Sequence, residues 1–308
     1  MNVLVAVSGG VDSVVLLHML VTGRLSIPVA DNGASCRLQG EELFSEFTSG
    51  NQAEGLAPPL AIAHFDHGMR ADSAADARFV QGLATRYGLE FVERREELSG
   101  ASEERARARR YAFLFEEAEK RQARVVTAHH LDDVVETIAL NIQRGTRWRG
   151  LACMSDERMW RPLINRTKSE LRAYATEQRL EWVEDETNQQ DVYSRNRMRR
   201  RLASLSPTAK QQLSELRQTQ LQLRQEIRRE IGEGDFPVWS RHFVTMIDEA
   251  VATELLYEYI LGTTGVSLLS EQLHRLLLAI KTGRPGTTWQ LGGGVVVEMG
   301  KKDWCVAS

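Results

Sequence analysis

"VLVAVSGGVDSVVLLHML", Val3 to Leu20, passes from an apolar strand through two glycines into an apolar helix. Val3, Leu4, Val5, Ala6 and Val7 form the unbroken run of a parallel strand covered on both faces, which predicts strand one over Asn2 to Val7. Val11, Val14, Val15, Leu16, Leu17, Met19 and Leu20 then put apolar groups on more than one face of a helix packed against that sheet. The chain turns at Ser8-Gly9-Gly10. Glycine allows a tight turn and close backbone approach, and the N–H groups that open a helix favour an anion, phosphate first among them. A Walker loop needs Gly-Lys-Ser/Thr, and the first lysine of this chain is Lys120. The three-glycine dinucleotide fingerprint is also missing. A Gly-Gly turn alone serves equally well as a strand-to-helix corner; Asp12 and Ser13 add polar groups that a plain corner does not need.

Outward from this stretch, 308 residues with 42% hydrophobic content are enough to bury a sizeable core, and two domains are expected. Cys36, Cys153 and Cys305 are widely separated and make neither a CxxC pair nor a disulfide framework, which suits a reducing compartment and predicts a cytoplasmic protein. No basic leader precedes strand one, and no run of about 18 apolar residues suggests a membrane span. The net charge of -3 argues against a nucleic-acid partner, but its distribution does not. The basic residues are nearly all arginine, clustered in "RARARR" (Arg105–Arg110), "RGTRWRG" (Arg144–Gly150) and "RNRMRRR" (Arg195–Arg201). Each cluster alone reads as a solvated helix face; three together make a basic surface, and arginine's planar fork suits phosphate and base recognition.

The residues from Ser26 to Pro59 are polar, without sustained periodicity, and read as a mobile insertion with a short helix around Glu41 to Phe47. "LAIAHFDHGMR" (Leu60–Arg70) reads as strand two and its loop, Ala74 to Tyr87 as a helix, Glu90 to Glu93 as strand three, and Ser102 to Arg121 as a capped helix. "ARVVTAHH" (Ala123–His130) reads as strand four and Leu131 to Arg144 as its helix. This alternation predicts an α/β fold, a doubly wound parallel sheet whose ligands bind at the carboxyl ends of the strands. Composition shifts at Leu205-Ser206-Pro207, which predicts domains over 1–205 and 206–308. The second domain is expected to be mainly helical: an amphipathic linker helix over Thr208 to Ile231, helices near Arg241 to Leu261 and Leu269 to Lys281, then a terminal hairpin or meander over Thr287 to Ala307 with a turn at Gly300 to Asp303.

A second polar constellation is "TAHHLDDVVET", Thr127 to Thr137. Strand four brings His129 and His130 to the sheet edge, and the next helix presents Asp132, Asp133 and Glu136 in its first turns, Asp133 and Glu136 on one face. Asp132 is explained equally by the helix dipole and by catalysis. The spacing matches no familiar zinc pattern, and oxygen ligands beside a phosphate loop suit magnesium better.

Ser8 to Ser13, "HFDHGMR" (His64–Arg70), "ARARRYAFL" (Ala106–Leu114), "HHLDDVVET" (His129–Thr137), "RGTRWRGLACM" (Arg144–Met154), "RPLINRTKSELRAY" (Arg161–Tyr174) and "WVEDETNQQDVYSRNRMRR" (Trp182–Arg200) resemble, in order, the signatures of the tRNA(Ile)-lysidine synthetase family of PP-loop ATP pyrophosphatases. Such enzymes have an adenine nucleotide alpha hydrolase-like fold, adenylate C2 of the wobble cytidine in a CAU anticodon through its O2, and let free L-lysine displace AMP. The resemblance implies that Ser8, Gly9, Gly10, Val11, Asp12 and Ser13 hold ATP, that Asp12 also faces Mg2+, and that Asp133 and Glu136 position the substrate lysine. It implies, further, that His67 and Arg107 lie near the nucleotide or target base, and that Arg195, Asn196 and Arg197 contact tRNA(Ile). The tail resembles the short form of the family, and a homodimer is compatible with it. Trp148 is open to two readings, stacking on a nucleotide and burial in the core.

Three rivals are weaker. A tRNA thiolase needs a sulfur-handling cysteine or cluster motif, and Cys36 and Cys153 are isolated. An amidating ligase needs no basic surface. A non-catalytic, ATP-gated RNA-binding module has no use for the acidic pair.

Overall fold

Alternate residues of the first strand bury into opposite cores. The computed structural model describes residues 2–25, 27–28, 35–36, 60–68, 73–98, 100, 102–145, 148–156, 158–184, 194–234 and 236–307. Strands β1 (Asn2–Ala6), β2 (Ile27–Pro28), β3 (Ser35–Cys36), β4 (Leu60–Asp66), β5 (Glu90–Arg95), β6 (Ala123–Val126) and β7 (Met159–Trp160) belong to the N-terminal part of the chain. Between and after them come helices α1 (Val11–Val21), α2 (Ser73–Tyr87), α3 (Glu103–Lys120), α4 (Leu131–Gln143), α5 (Trp148–Leu151), α6 (Lys168–Glu177) and α7 (Ser194–Leu202). Val3 and Val5 join α1, α2 and α6 in one core, while Leu4 joins Phe113 and Leu114 of α3 in the other. A strand with both faces covered has no polar side to show, so its sequence is apolar throughout.

The sheet order is β5-β4-β1-β6-β7, all parallel, with β1 pairing β4 on one side and β6 on the other. Chain order reverses between β1 and β6, and a doubly wound sheet opens its ligand crevice at such a switch point, outside the strand carboxyl ends. Ser8–Ser13 follows β1, His67 follows β4 and Thr127–His130 follows β6, so these motifs share that edge. Strand four is shorter than the expected Ala123 to His130: pairing stops at Val126, and Thr127 to His130 form the loop that carries polar groups to the edge. The two-residue β7 and helix α6 have no counterpart in the sequence reading. Most of the expected insertion over 26–59, including its helix at 41–47, lies outside the described residues; β2 and β3 pair antiparallel within it.

The chain divides into two compact units, Met1–Thr137 with Met154–Ser214, and Ile138–Cys153 with Glu215–Ser308. This division falls at 214/215, inside helix α8 (Pro207–Glu233), rather than at 205/206, and it assigns 138–153 to the second unit. Helices α9 (Arg241–Met246), α10 (Glu249–Thr264) and α11 (Ser270–Thr282) pack there with an antiparallel meander of β8 (Thr287–Gly292), β9 (Val295–Met299) and β10 (Trp304–Val306). The single helix expected over 241–261 is two, because the extended backbone of Ile247 ends α9 and Asp248 caps α10 through Ala250 N (2.8 Å) and Val251 N (3.4 Å). Trp148 is half-buried in this unit, its Nε1 donating to Glu254 (3.3 Å) and the Arg149 guanidinium lying over its ring, so packing accounts for it. Among the described residues no helix is long and apolar enough to cross a membrane.

Candidate active site

The glycine corner is a braced turn. Gly9 has φ of 89°, a left-handed conformation that glycine adopts without strain, and its carbonyl accepts from Val183 N (2.9 Å). Gly10 occupies the N-cap position of α1, where no side chain caps the helix. Ser13 Oγ donates to Gly10 O (2.9 Å) and accepts from Ser8 N (3.2 Å), which holds the loop shut from behind. Ser8 is exposed and Ser13 is buried, and both line a cleft of about 1270 Å³ in the first unit.

Charges gather around this corner. Asp12, the second residue of α1, places Oδ2 3.5 Å from His130 Nε2 and 3.4 Å from Lys168 Nζ. Burial works to raise the Asp12 pKa, but His130 and Lys168 outweigh it and hold the carboxyl below its ordinary value. His130 is 4% exposed, and its Nε2 also lies 3.5 Å from Asp133 Oδ2. Burial disfavours its charged form, yet Asp12 and Asp133 together keep the imidazole pKa above the ordinary value. Asp132 accepts from Lys168 N (2.7 Å) and from Lys210 Nζ (2.6 Å). Burial would raise its pKa, and these two donors reverse the shift. Beyond the helix dipole and catalysis, the structure shows a structural role for Asp132: it ties the starts of α4 and α6 together.

The acidic pair holds a cation. Asp133 and Glu136 face the cleft from α4, and Arg199 of α7 reaches both: its Nε donates to Glu136 Oε2 (2.5 Å) and its Nη2 lies 3.5 Å from Asp133 Oδ1. Glu136 is 3% exposed, so this carboxylate has little water to fall back on. His67 and Arg107 line the same cleft. His67 Nδ1 is buried with no hydrogen-bond partner, and burial, with the charge of Arg110, lowers its pKa. Arg107 lies 4.8 Å from the Tyr111 ring centroid. Nearby His129 is pushed down to about 3, first by burial and then by Arg161, Arg107 and Arg110, so it is a neutral ring that pairs with Thr127 Oγ1 (2.7 Å). Arg195 and Asn196 belong to α7, but their side chains lie outside the described residues; Arg197 is exposed on that helix.

Among the described residues no three His, Cys, Asp or Glu side chains cluster as a self-sufficient metal site. Magnesium needs less, because it binds through one or two carboxylates together with substrate phosphates and water. Asp12 fits that requirement: its Oδ1 is buried beside the corner with no hydrogen-bond partner.

Three members of this site escaped the sequence reading. Lys168 had a local signal, the capping box Thr167-x-x-Glu170 that marks the start of α6. Arg199 lies inside the cluster Arg195–Arg201, but nothing local pairs it or Lys210 with a carboxylate, since each lies more than sixty residues from its partner, 78 for Asp132 and 63 for Glu136.

Sheet, corner and cleft define an α/β nucleotide-binding protein whose phosphate loop carries no lysine of its own. The chain belongs to the PP-loop domain family, whose model matches residues 1–206, and a PP-loop domain implies an ATP site. It is similar to the tRNA(Ile)-lysidine synthase of Pseudomonas aeruginosa, 36% identical over 217 residues that cover 67% of this chain and 42% of that protein. The corresponding protein of Haemophilus ducreyi is 32% identical over 212 residues, covering 66% and 42%. The match thus spans about two fifths of the length of these curated relatives. Among solved structures, the U34-tRNA thiolase NcsA from Methanococcus maripaludis with its [4Fe-4S] cluster shares the fold, with a TM-score of 0.51 at 14% identity over 72% of each chain.

Proposed function

We propose that this protein is a tRNA(Ile)-lysidine synthetase, a carbon–nitrogen ligase acting on the wobble cytidine of a CAU anticodon. The observation that carries the reading is the acidic pair Asp133–Glu136, which faces the same cleft as the glycine corner and binds a guanidinium. Two carboxylates and one guanidinium leave a net charge of about −1, the complement of one ammonium.

The chemistry takes two displacements. Cytidine O2 attacks the α phosphorus of ATP; the O–P bond forms, and the bond from the α phosphorus to the bridging oxygen breaks with its electron pair leaving in pyrophosphate. The corner's N–H groups and the start of α1 face the charge that accumulates. Asp12 would hold Mg2+, which when bound would supply charge neutralisation at the phosphates. The amine of lysine then attacks C2, the C2–O2 bond breaks, and AMP departs with the oxygen. Asp133 and Glu136 hold the ammonium near C2, and one of these carboxylates accepts the proton it must give up before the nitrogen attacks. Because a base in a single-stranded anticodon loop unstacks at low cost, it can enter the cleft beside His67 and Arg107. Arg195, Asn196 and Arg197 on α7 supply backbone contacts to tRNA(Ile). These substrates place the reaction in the cytoplasm.

The thiolase alternative needs sulfur chemistry. Among the described residues the cleft lining includes no cysteine, and Cys153 and Cys305 both belong to the second unit. The test is incubation with tRNA(Ile) bearing CAU, ATP, Mg2+ and labelled lysine. Label in the RNA with release of AMP and pyrophosphate is expected, and its absence would end this reading.

A further inference from the structure

Within the buried stretch Ala61–Phe65 of β4 one residue is polar. His64 is 4% exposed and alternates with Ile62, so it points to the face of the sheet that Ile62 shares with α1 and α2. An imidazole costs more to bury than the aliphatic side chains around it, so packing does not explain its presence. Its Nδ1 lies 2.9 Å from Val7 O, the carbonyl that precedes Ser8 of the glycine corner. A carbonyl only accepts, so Nδ1 carries the proton and donates it.

This bond takes over where the strand stops. β1 ends at Ala6, and the backbone ladder to β4 still takes Val7 N to Ala63 O (2.9 Å), but the carbonyl of Val7 goes to a side chain. The peptide unit that joins Val7 to Ser8 is therefore held at both ends, its C=O by His64 and its N–H by Ser13 Oγ (3.2 Å). Further along, Gly9 O accepts from Val183 N (2.9 Å). Of these holds, Ser13 belongs to the corner itself and Val183 uses its backbone; His64 is a side chain sent across from a neighbouring strand. A planar peptide with both polar groups engaged has little freedom to rotate. Its tilt sets the direction of the N–H groups that follow, which at the start of α1 have no intrahelical partner.

We propose that His64 is a positioning residue for nucleotide binding: by fixing the Val7–Ser8 peptide it aims the N–H groups of the corner at the phosphates. It acts through the backbone, and no proton is transferred. The inference rests on the ATP site and is independent of the lysidine reading.

Asparagine and glutamine separate the two ring nitrogens, because Asn sets an amide N–H near the place of Nδ1 and Gln near that of Nε2. The test measures the affinity of the full chain for α,β-methylene-ATP by titration calorimetry with Mg2+, with a urea midpoint for each variant. His64→Gln and His64→Leu should bind the analogue about tenfold more weakly, while His64→Asn stays within about threefold of the unmutated protein. A role confined to packing predicts the opposite order, since leucine suits a buried site best. Equal affinity in the Asn and Gln variants, or unmutated affinity in His64→Leu, would overturn the proposal. Should His64→Leu not fold, the comparison of Asn with Gln decides alone. Nitrogen NMR of the unmutated protein near neutral pH should show a protonated Nδ1 on His64, and a bare Nδ1 would also overturn it. If the unmutated protein does not bind the analogue, the ATP site fails and this inference with it. If it binds the analogue but leaves tRNA(Ile) unlabelled, only the lysidine reading fails.

Discussion

Neutralising Glu136 while preserving its shape should disable lysine use and spare ATP binding. In the acidic pair Glu136 is the more buried member, with a side chain 4% exposed against 20% for Asp133, and it makes the shorter contact to Arg199. Glu136→Gln keeps an acceptor oxygen and the side-chain volume but removes one charge, so Asp133 and Arg199 then cancel and the subsite no longer attracts an ammonium. At about 4 Å and an effective dielectric of about 20, one charge–charge interaction is worth up to about 4 kcal/mol; a mobile ammonium recovers part of it from water, leaving about 2–3 kcal/mol. That range corresponds to a KM for lysine raised about 30- to 150-fold. The assay is labelled-lysine incorporation into tRNA(Ile) over a lysine series, paired with the dissociation constant for MgATP and a urea midpoint for the folded state. MgATP affinity should change less than about threefold, since Glu136 is held by α4 and Arg199 rather than by the glycine corner's own hydrogen bonds. An unchanged KM for lysine, or equal losses of lysine and ATP affinity, would refute the assignment of this pair to the amine.

Three further outcomes follow from the same geometry. Gly9→Ala should weaken folding by about 1–2 kcal/mol and lose nucleotide binding, because an L residue is strained at φ of 89°; urea unfolding and calorimetry check both. His129 should make the fold acid-labile: its folded pKa lies near 3, so its contribution is complete above the unfolded value of about 6.5 and is lost as pH falls towards 3, about 1.4 kcal/mol by pH 5.5; a urea-midpoint difference between pH 7.5 and 5.5 that is not reduced in His129→Asn would contradict this. Arg197→Ala should weaken tRNA binding and lower the slope of log affinity against log salt by about 1, and an unchanged slope would mean that the RNA does not use this helix face.

How far local sequence carries can be judged residue by residue. The apolar run at Val3–Val7, the glycines after it and the helix at Val11 are consequences of neighbouring residues, so the first strand, its corner and the helix that follows could be read directly. The same holds for Asp133 and Glu136, which share a face because they are three apart on one helix. Two misjudged boundaries were also local. The strand expected over Ala123 to His130 runs on through the polar Thr127, His129 and His130 past the point where pairing ends at Val126, and Asp248, of a type that caps helices, starts a second helix inside a stretch that reads as one.

By itself the sequence determined the alternation of strands and helices, the side of the sheet on which polar groups collect, and a phosphate loop lacking lysine. Only the tertiary structure decided how those polar groups are charged and paired. It set β1 beside β6, so that Asp12 meets His130; it brought Lys168 to the corner, Lys210 to Asp132 and Arg199 to the acidic pair. The reason is physical: backbone preference and periodicity act over a few residues, whereas Coulomb attraction and burial depend on distance in space, which exists only after the strands have taken their order.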